Sequence, residues 1–163
     1  MLKIVTVTEE GAQLDCIRAL FREYEKELNE NICFQSFEKE LENPLIKYSQ
    51  PAGILLIAYW NEAVAGCIAL QSLPVTGDCE MKRLYVRPEF RKHGIGRKLA
   101  EDLLAWGKTL GYSIMRLDTL PKLEAAVKMY YAMGFENCEA YYNNPLEGVI
   151  YMKKHLSGSP LLD

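Results

Sequence analysis

Leu84-Tyr85-Val86-Arg87-Pro88, followed two residues later by Arg91-Lys92-His93-Gly94-Ile95-Gly96-Arg97-Lys98, is the stretch on which the reading of this chain turns. Its first part is an apolar run that reads as the end of a strand. Its second part is a basic, glycine-containing turn. Beyond it, residues 95–110 place Ile95, Leu99, Leu103 and Leu110 on one face, with Arg97, Lys98, Glu101, Asp102 and Lys108 largely elsewhere. That spacing predicts an amphipathic helix, ended by Gly111 in the usual C-terminal cap position. The turn therefore joins a strand to a helix N-terminus, where unpaired N–H donors and about half a positive charge favour an anion. Glycines at 94 and 96 let the backbone approach a bulky phosphate, and Arg91, Lys92, Arg97 and Lys98 add charge there. The plain alternative is a solvated basic turn whose glycines serve only tight geometry. A dinucleotide fingerprint needs a third glycine where Leu99 stands, and a P-loop needs Gly-Lys-Ser/Thr where this turn has Gly-Arg-Lys.

Upstream, residues 2–7 read as a first strand. A helix follows over about 9–28, with Leu14, Ile17, Phe21, Tyr24 and Leu28 at steps of three and four. Residues 29–51 are less regular and hold a short helix near 34–41. Residues 53–59 form a continuous apolar run, expected to be a strand buried on both faces. After a turn at Trp60-Asn61-Glu62, residues 64–70 answer it as a hairpin partner, and residues 80–86 make the next strand. Downstream, a strand covers 113–119, and a helix starts near Pro121 and runs to about Met133. Two last strands lie near 135–142 and 148–152. The order is β-α-α-β-β-β-α-β-α-β-β, an α/β fold with a mixed, mainly antiparallel sheet flanked by helices. Residues 1–156 make one domain, and 157–163 are expected to be a frayed tail.

The 163 residues are enough for one full core. A formal net charge of −3 and a pI near 5.5 argue against nucleic acid as partner. No apolar run approaches the ~18 residues of a membrane span, and the N-terminus turns acidic too early for a signal peptide. Cys16, Cys33, Cys67, Cys79 and Cys138 are odd in number, dispersed and without a CxxC pair, so neither a disulfide framework nor a metal site is expected. A reducing cytoplasm fits this usage.

The turn Arg91-x-x-Gly94-x-Gly96, after its strand, resembles the pyrophosphate loop of the GNAT (N-acetyltransferase) superfamily, written Gln/Arg-x-x-Gly-x-Gly/Ala. Tyr130-Tyr131-Ala132-Met133-Gly134-Phe135 is similar to the family's helix-to-strand ending, a tyrosine four residues before Gly-Phe. The resemblance spans residues 54–152, is weakest in the first fifty, and has the flavour of one uncharacterised branch. It implies acetyl-CoA as co-substrate. The pantetheine arm would pair with backbone of Leu84, Tyr85 and Val86, and the pyrophosphate would sit on the loop from Arg91 through Lys92, His93, Gly94, Ile95 and Gly96 to Arg97. Many members carry an asparagine seven residues before the tyrosine; Leu123 stands there instead.

An amine of pKa ~10.4 leaves roughly one molecule in a few thousand nucleophilic at pH 7, so a base is needed, and the departing thiolate benefits from an acid. Tyr130 matches the family's general acid, against a reading as a packed helix aromatic. Glu80 stands eleven residues before Arg91, where some members carry a strand carboxylate that relays a proton through water; the alternative is an ion pair with Lys82 or a neighbouring strand. Asp118 and Thr119 either touch a substrate or cap the following helix, with the cap favoured. Tyr141, Tyr142 and Asn143 either line an acceptor pocket or pack. Phe21, Tyr24, Phe34 and Phe37 are candidate pocket walls for which core packing is the stronger reading. Cys67 and Cys79 read as small buried hydrophobes rather than acyl carriers, so transfer is direct. His93 belongs to the loop, and His155 has no evident partner. The expected activity is acetyl transfer to a primary amine of a small molecule or a protein. The competing readings are an idle acyl-CoA-binding module and a phosphate-binding regulator unrelated to CoA. Edge strands allow a homodimer.

Overall fold

A computed structural model describes residues 1–30 and 36–156. Seven strands and four α-helices follow in the order β1 (Leu2–Thr6), α1 (Ala12–Leu28), α2 (Phe37–Glu42), β2 (Ile54–Trp60), β3 (Ala63–Leu73), β4 (Asp78–Val86), α3 (Ile95–Thr109), β5 (Ile114–Thr119), α4 (Glu124–Ala132), β6 (Glu136–Asn137) and β7 (Ile150–His155). The strands form one sheet in the order β1-β2-β3-β4-β5-β7-β6. Only β4 and β5 run parallel; the other described pairs are antiparallel. The mixed, mainly antiparallel sheet expected from the element order is the one observed. The expected helix near 34 and the tail after 156 reach outside the described residues.

Each face of the sheet carries its own core. The β2 run Ile54-Leu55-Leu56-Ile57-Ala58 alternates between them, which is why it is apolar throughout. Ile54 and Leu56 join Ile68, Leu70, Met81, Met115, Leu117 and Met152 under Ile95, Leu99 and Leu103 of α3. Leu55 and Ile57 join Cys67 and Ala69 under Leu14, Ile17, Leu20 and Phe21 of α1 and Phe37 of α2. Burying these side chains is the main favourable term in the fold. The β2–β3 hairpin closes on Asn61 and Glu62, both at positive φ (48° and 73°), the two-residue geometry that matches strand twist.

Several boundaries depart from the sequence reading. Helix α1 starts at Ala12 rather than near residue 9, because Gly11 precedes it at φ 149° and Glu10 turns back to Arg18. The α3 stripe continues from Leu103 to Gly107, and Leu110 lies past the helix end. Helix α4 starts at Glu124, since Pro121 and Lys122 form a turn closed by Leu123 N–H on Leu120 O. The strand expected over 135–142 is only two residues long. After Cys138, whose N–H donates to Tyr151 O, the chain leaves the sheet as a loop held by tyrosine hydroxyls.

Candidate functional site

The sheet opens at one place. Along β3–β4 the register passes from Cys67↔Tyr85 to Ala69↔Lys82, so Arg83 and Leu84 stand opposite the single residue Ile68. This is a β-bulge, with Arg83 at φ 60°. Gly66 belongs to it, since a methyl there would lie 2.5 Å from Tyr85 O. Below the bulge β4 pairs with β5 at Cys79↔Met115 and Glu80↔Arg116, and no further pair follows. The strands then diverge around a cavity of about 850 Å³. Leu84, Tyr85 and Val86 line one wall, Leu117, Asp118 and Thr119 another, and the α4 residues a third. An extended ligand can pair with the open edge of β4 there, as a strand would.

The cavity runs to the N-terminus of α3. Lys92 (φ 69°) and Gly94 (φ 76°) are both left-handed, and Gly94 caps the helix without a side-chain bond. A Cβ at Gly94 would meet nothing within 4 Å, so conformation rather than space makes glycine suit it. Arg91, Lys92, Gly94, Ile95, Gly96 and Arg97 all line this end. His93 does not, because its exposed ring stacks on Trp60 at 4.6 Å. Arg91 donates to Val86 O (2.8 Å), pairs with Glu27 of α1 (2.7 Å) and lies over the Tyr85 ring at 5.7 Å. Burial pushes the Tyr85 hydroxyl up to about 12.

Tyr130 also lines the cavity. It projects from α4 into the cavity, is 6% exposed, and meets Phe135 edge-on at 5.8 Å. Burial, reinforced by Tyr24 and Asp118, raises its pKa, so the hydroxyl stays a proton donor. Leu123, where the resembled family has asparagine, caps α4 with no side-chain bond and also lines the cavity.

The two strand carboxylates lie on either side of the divergence. Glu80 is 2% exposed and accepts from Gln71 Nε2 (2.7 Å) and Tyr141 Oη (2.6 Å). It does not line the large cavity but a second one of about 390 Å³, with Gln71, Tyr141, Tyr142 and Asn143. Asp118 lines the large cavity with Tyr130 and accepts from Tyr142 Oη and from Asn144 Nδ2 (2.7 Å). The helix-capping reading of Asp118 and Thr119 is corrected, since Leu123 caps α4 and Thr119 pairs into β7 opposite Ile150. Adjacent tyrosines of one loop thus bond one carboxylate on each of two parting strands. Tyr141, Tyr142 and Tyr151 also pack together, with ring centroids 5.4–6.1 Å apart. Asn144 and Tyr151 are the members of this group that the sequence reading did not single out by role.

A buried ion pair, also missed, secures the bulge. Arg83 and Glu40 are 3% and 4% exposed and bond bidentately at 2.9 and 3.1 Å. The guanidinium lies over the rings of Tyr24 (5.8 Å) and Phe37 (5.2 Å). Burial works to raise the Glu40 pKa, but the Arg83 bond and charge outweigh it and hold it below the usual carboxylate value. Phe21 and Phe37 are core residues and Tyr24 lines the cavity; Phe34 lies outside the described residues. Cys67 is fully buried, with burial pushing its thiol far up, and burial pushes Cys79 up to about 12, so neither presents a thiolate. His155 ends β7, exposed, opposite Ile114. No helix among the described residues is long and apolar enough to cross a membrane.

Comparison with known proteins agrees with this geometry. The profile of the Acetyltransferase (GNAT) family matches residues 16–135. An uncharacterized N-acetyltransferase of Schizosaccharomyces pombe is 43% identical over 145 residues, covering 88% of this chain and 89% of its own. Among solved structures, an acetyltransferase from Streptococcus agalactiae superposes with a TM-score of 0.77 at 20% identity, over 94% of this chain and 98% of that one. An N-acetyltransferase from Thermoplasma acidophilum in complex with coenzyme A superposes with a TM-score of 0.73 at 21% identity, over 95% and 99%.

Proposed function

The chain belongs to the acetyltransferase (GNAT) family and is an acyltransferase, and on that premise we propose that it moves an acetyl group from acetyl-CoA directly to a primary amine. The observation that carries this reading is the bulged β4 parting from β5 over a cavity that ends at a left-handed glycine turn and a helix N-terminus. The relative solved with coenzyme A shares this fold. The thioester supplies the activated acyl group; the rest is done by the chain. Backbone of Leu84, Tyr85 and Val86 pairs with the extended arm. The Lys92–Arg97 backbone and the charges of Arg91, Lys92 and Arg97 hold the pyrophosphate. His93, turned onto Trp60, acts through the shape of the loop.

Tyr130 donates a proton to the leaving sulfur, a role that suits a phenol held protonated inside the cavity. Glu80 receives the amine proton through water, since it lines the adjoining cavity rather than this one. Asp118 offers a second, shorter route, because it shares the cavity with Tyr130. No cysteine in the described core carries the acyl group. The acceptor is an amine of a small molecule or a protein terminus. The test is thiol release from acetyl-CoA on addition of a panel of primary amines. Amine-dependent release that Tyr130→Phe slows supports the reading. Tight acetyl-CoA binding with no release for any amine would instead support the idle acyl-CoA-binding module.

A further inference from the structure

Among the described residues, Lys82 is the one that lines both cavities. It stands on β4 immediately before the bulge, 9% exposed, paired with Ala69 of β3. Its position along the cavity follows from the strand. From the glycine turn, Val86, Tyr85, Leu84, Arg83 and Lys82 line the cavity in turn along β4, and Asp118 of β5 lines it too. Glu80 and Arg116 form the last β4–β5 pair; Lys82 and Asp118 each stand two residues beyond it, where the strands part, and both line the cavity. An acyl group at the inner end of an arm laid along β4 would enter the part of the cavity that Lys82 lines.

The side chain is an amine, the same chemical class as the acceptor. Burial lowers its pKa; Glu80, Asp118 and Glu40 oppose that and Arg83 adds to it, with the net result lowered. Burial thus increases the neutral, nucleophilic fraction relative to a surface lysine.

Resting on the acetyl-CoA reading above, we propose that Lys82 is a self-acetylation site at the junction of the two cavities. The Nζ lone pair forms a bond to the thioester carbonyl carbon, and the carbon–sulfur bond breaks. The sulfur leaves with its electron pair and is protonated as free thiol, and the nitrogen passes its extra proton to Asp118, Glu80 or water. Acyl donor and neutral lysine become Nε-acetyl-lysine and thiol, with no oxidant or other reactant. The product has no charge between Glu80 and Asp118 and places an amide and a methyl group where the cavities meet. Acetylation therefore narrows the route from the tyrosine-walled cavity to the thioester and limits turnover when acceptor is scarce.

The experiment is peptide mapping by mass spectrometry of the full chain incubated with acetyl-CoA and no acceptor, alongside a calorimetric measurement of acetyl-CoA binding. The expected result is one acetyl group per chain, at Lys82, at a rate independent of protein concentration, as a buried group modified within its own molecule requires. Proximity in the bound complex should make it at least about tenfold faster than at any exposed lysine. Acetyl phosphate, which lacks the CoA moiety, should label exposed lysines and spare Lys82. Lys82→Arg should bind acetyl-CoA and gain no label. Binding with Lys82 unlabelled, or labelling only of exposed lysines at equal rates with both donors, overturns the inference and leaves the cofactor reading standing. No binding at all removes both.

Discussion

Single side chains divide the chemistry by environment. Tyr130 sits where burial keeps a phenol protonated. Tyr130→Phe keeps the ring and its packing on Phe135 and removes the proton. The expected result is a fall in kcat of about a hundredfold or more with acetyl-CoA affinity nearly unchanged; equal rates would return Tyr130 to packing. For the base, Glu80→Gln and Asp118→Asn are compared across pH. The variant that removes the acidic limb of the kcat/KM profile identifies the group that must be ionised, and an unaltered profile in both leaves proton removal to solvent. Gly94→Asp tests the phosphate end. It adds a Cβ at φ 76° and a negative charge beside the helix N-terminus, so acetyl-CoA binding should be lost while the circular dichroism spectrum stays native. Retained affinity would sink the assignment of the loop.

Elements show what was legible in the sequence and what was not. Local period and local turn chemistry located the helices and strands. The stripe Leu14, Ile17, Phe21 on α1, the two-sided run of β2 and the Gly94 turn were all readable within a few residues. Long-range bonds were not. The chain after Cys138 looked like a strand because Tyr141 and Tyr142 have strand propensity, yet Glu80 and Asp118, 61 and 24 residues away, draw the hydroxyls off the sheet. Asp118 looked like a cap because Asp favours caps, and it became a cavity residue because α4 starts later than Pro121 suggested. The Arg83–Glu40 pair joins residues 43 apart and leaves no periodic trace. It ties α2 to the bulge that parts the sheet. Glu40→Ala removes the carboxylate that pairs with Arg83 and should cost about 3–5 kcal/mol in denaturant unfolding. Replacing both Glu40 and Arg83 by methionine should recover most of that. Because Glu40 is held below its ordinary pKa, its stabilisation is full above the unfolded value of ~4.3 and is lost as pH falls through the folded value. Glu40→Gln should therefore flatten the acid limb of the stability curve, and an unchanged limb would show that other carboxylates set it.

The described residues form a mainly antiparallel sheet with one parallel seam, and the proposed site gathers there. The glycine turn, the open strand edge, Tyr130 and the two carboxylates belong to β4, β5 and the segments that leave them. The family relationship identifies the class of reaction as acyl transfer. Whether the seam holds acetyl-CoA is decided by isothermal titration of the purified chain with acetyl-CoA, with ATP as the control. One site per chain for acetyl-CoA and none for ATP is expected. No heat of binding for acetyl-CoA, or ATP bound in its place, would contradict it.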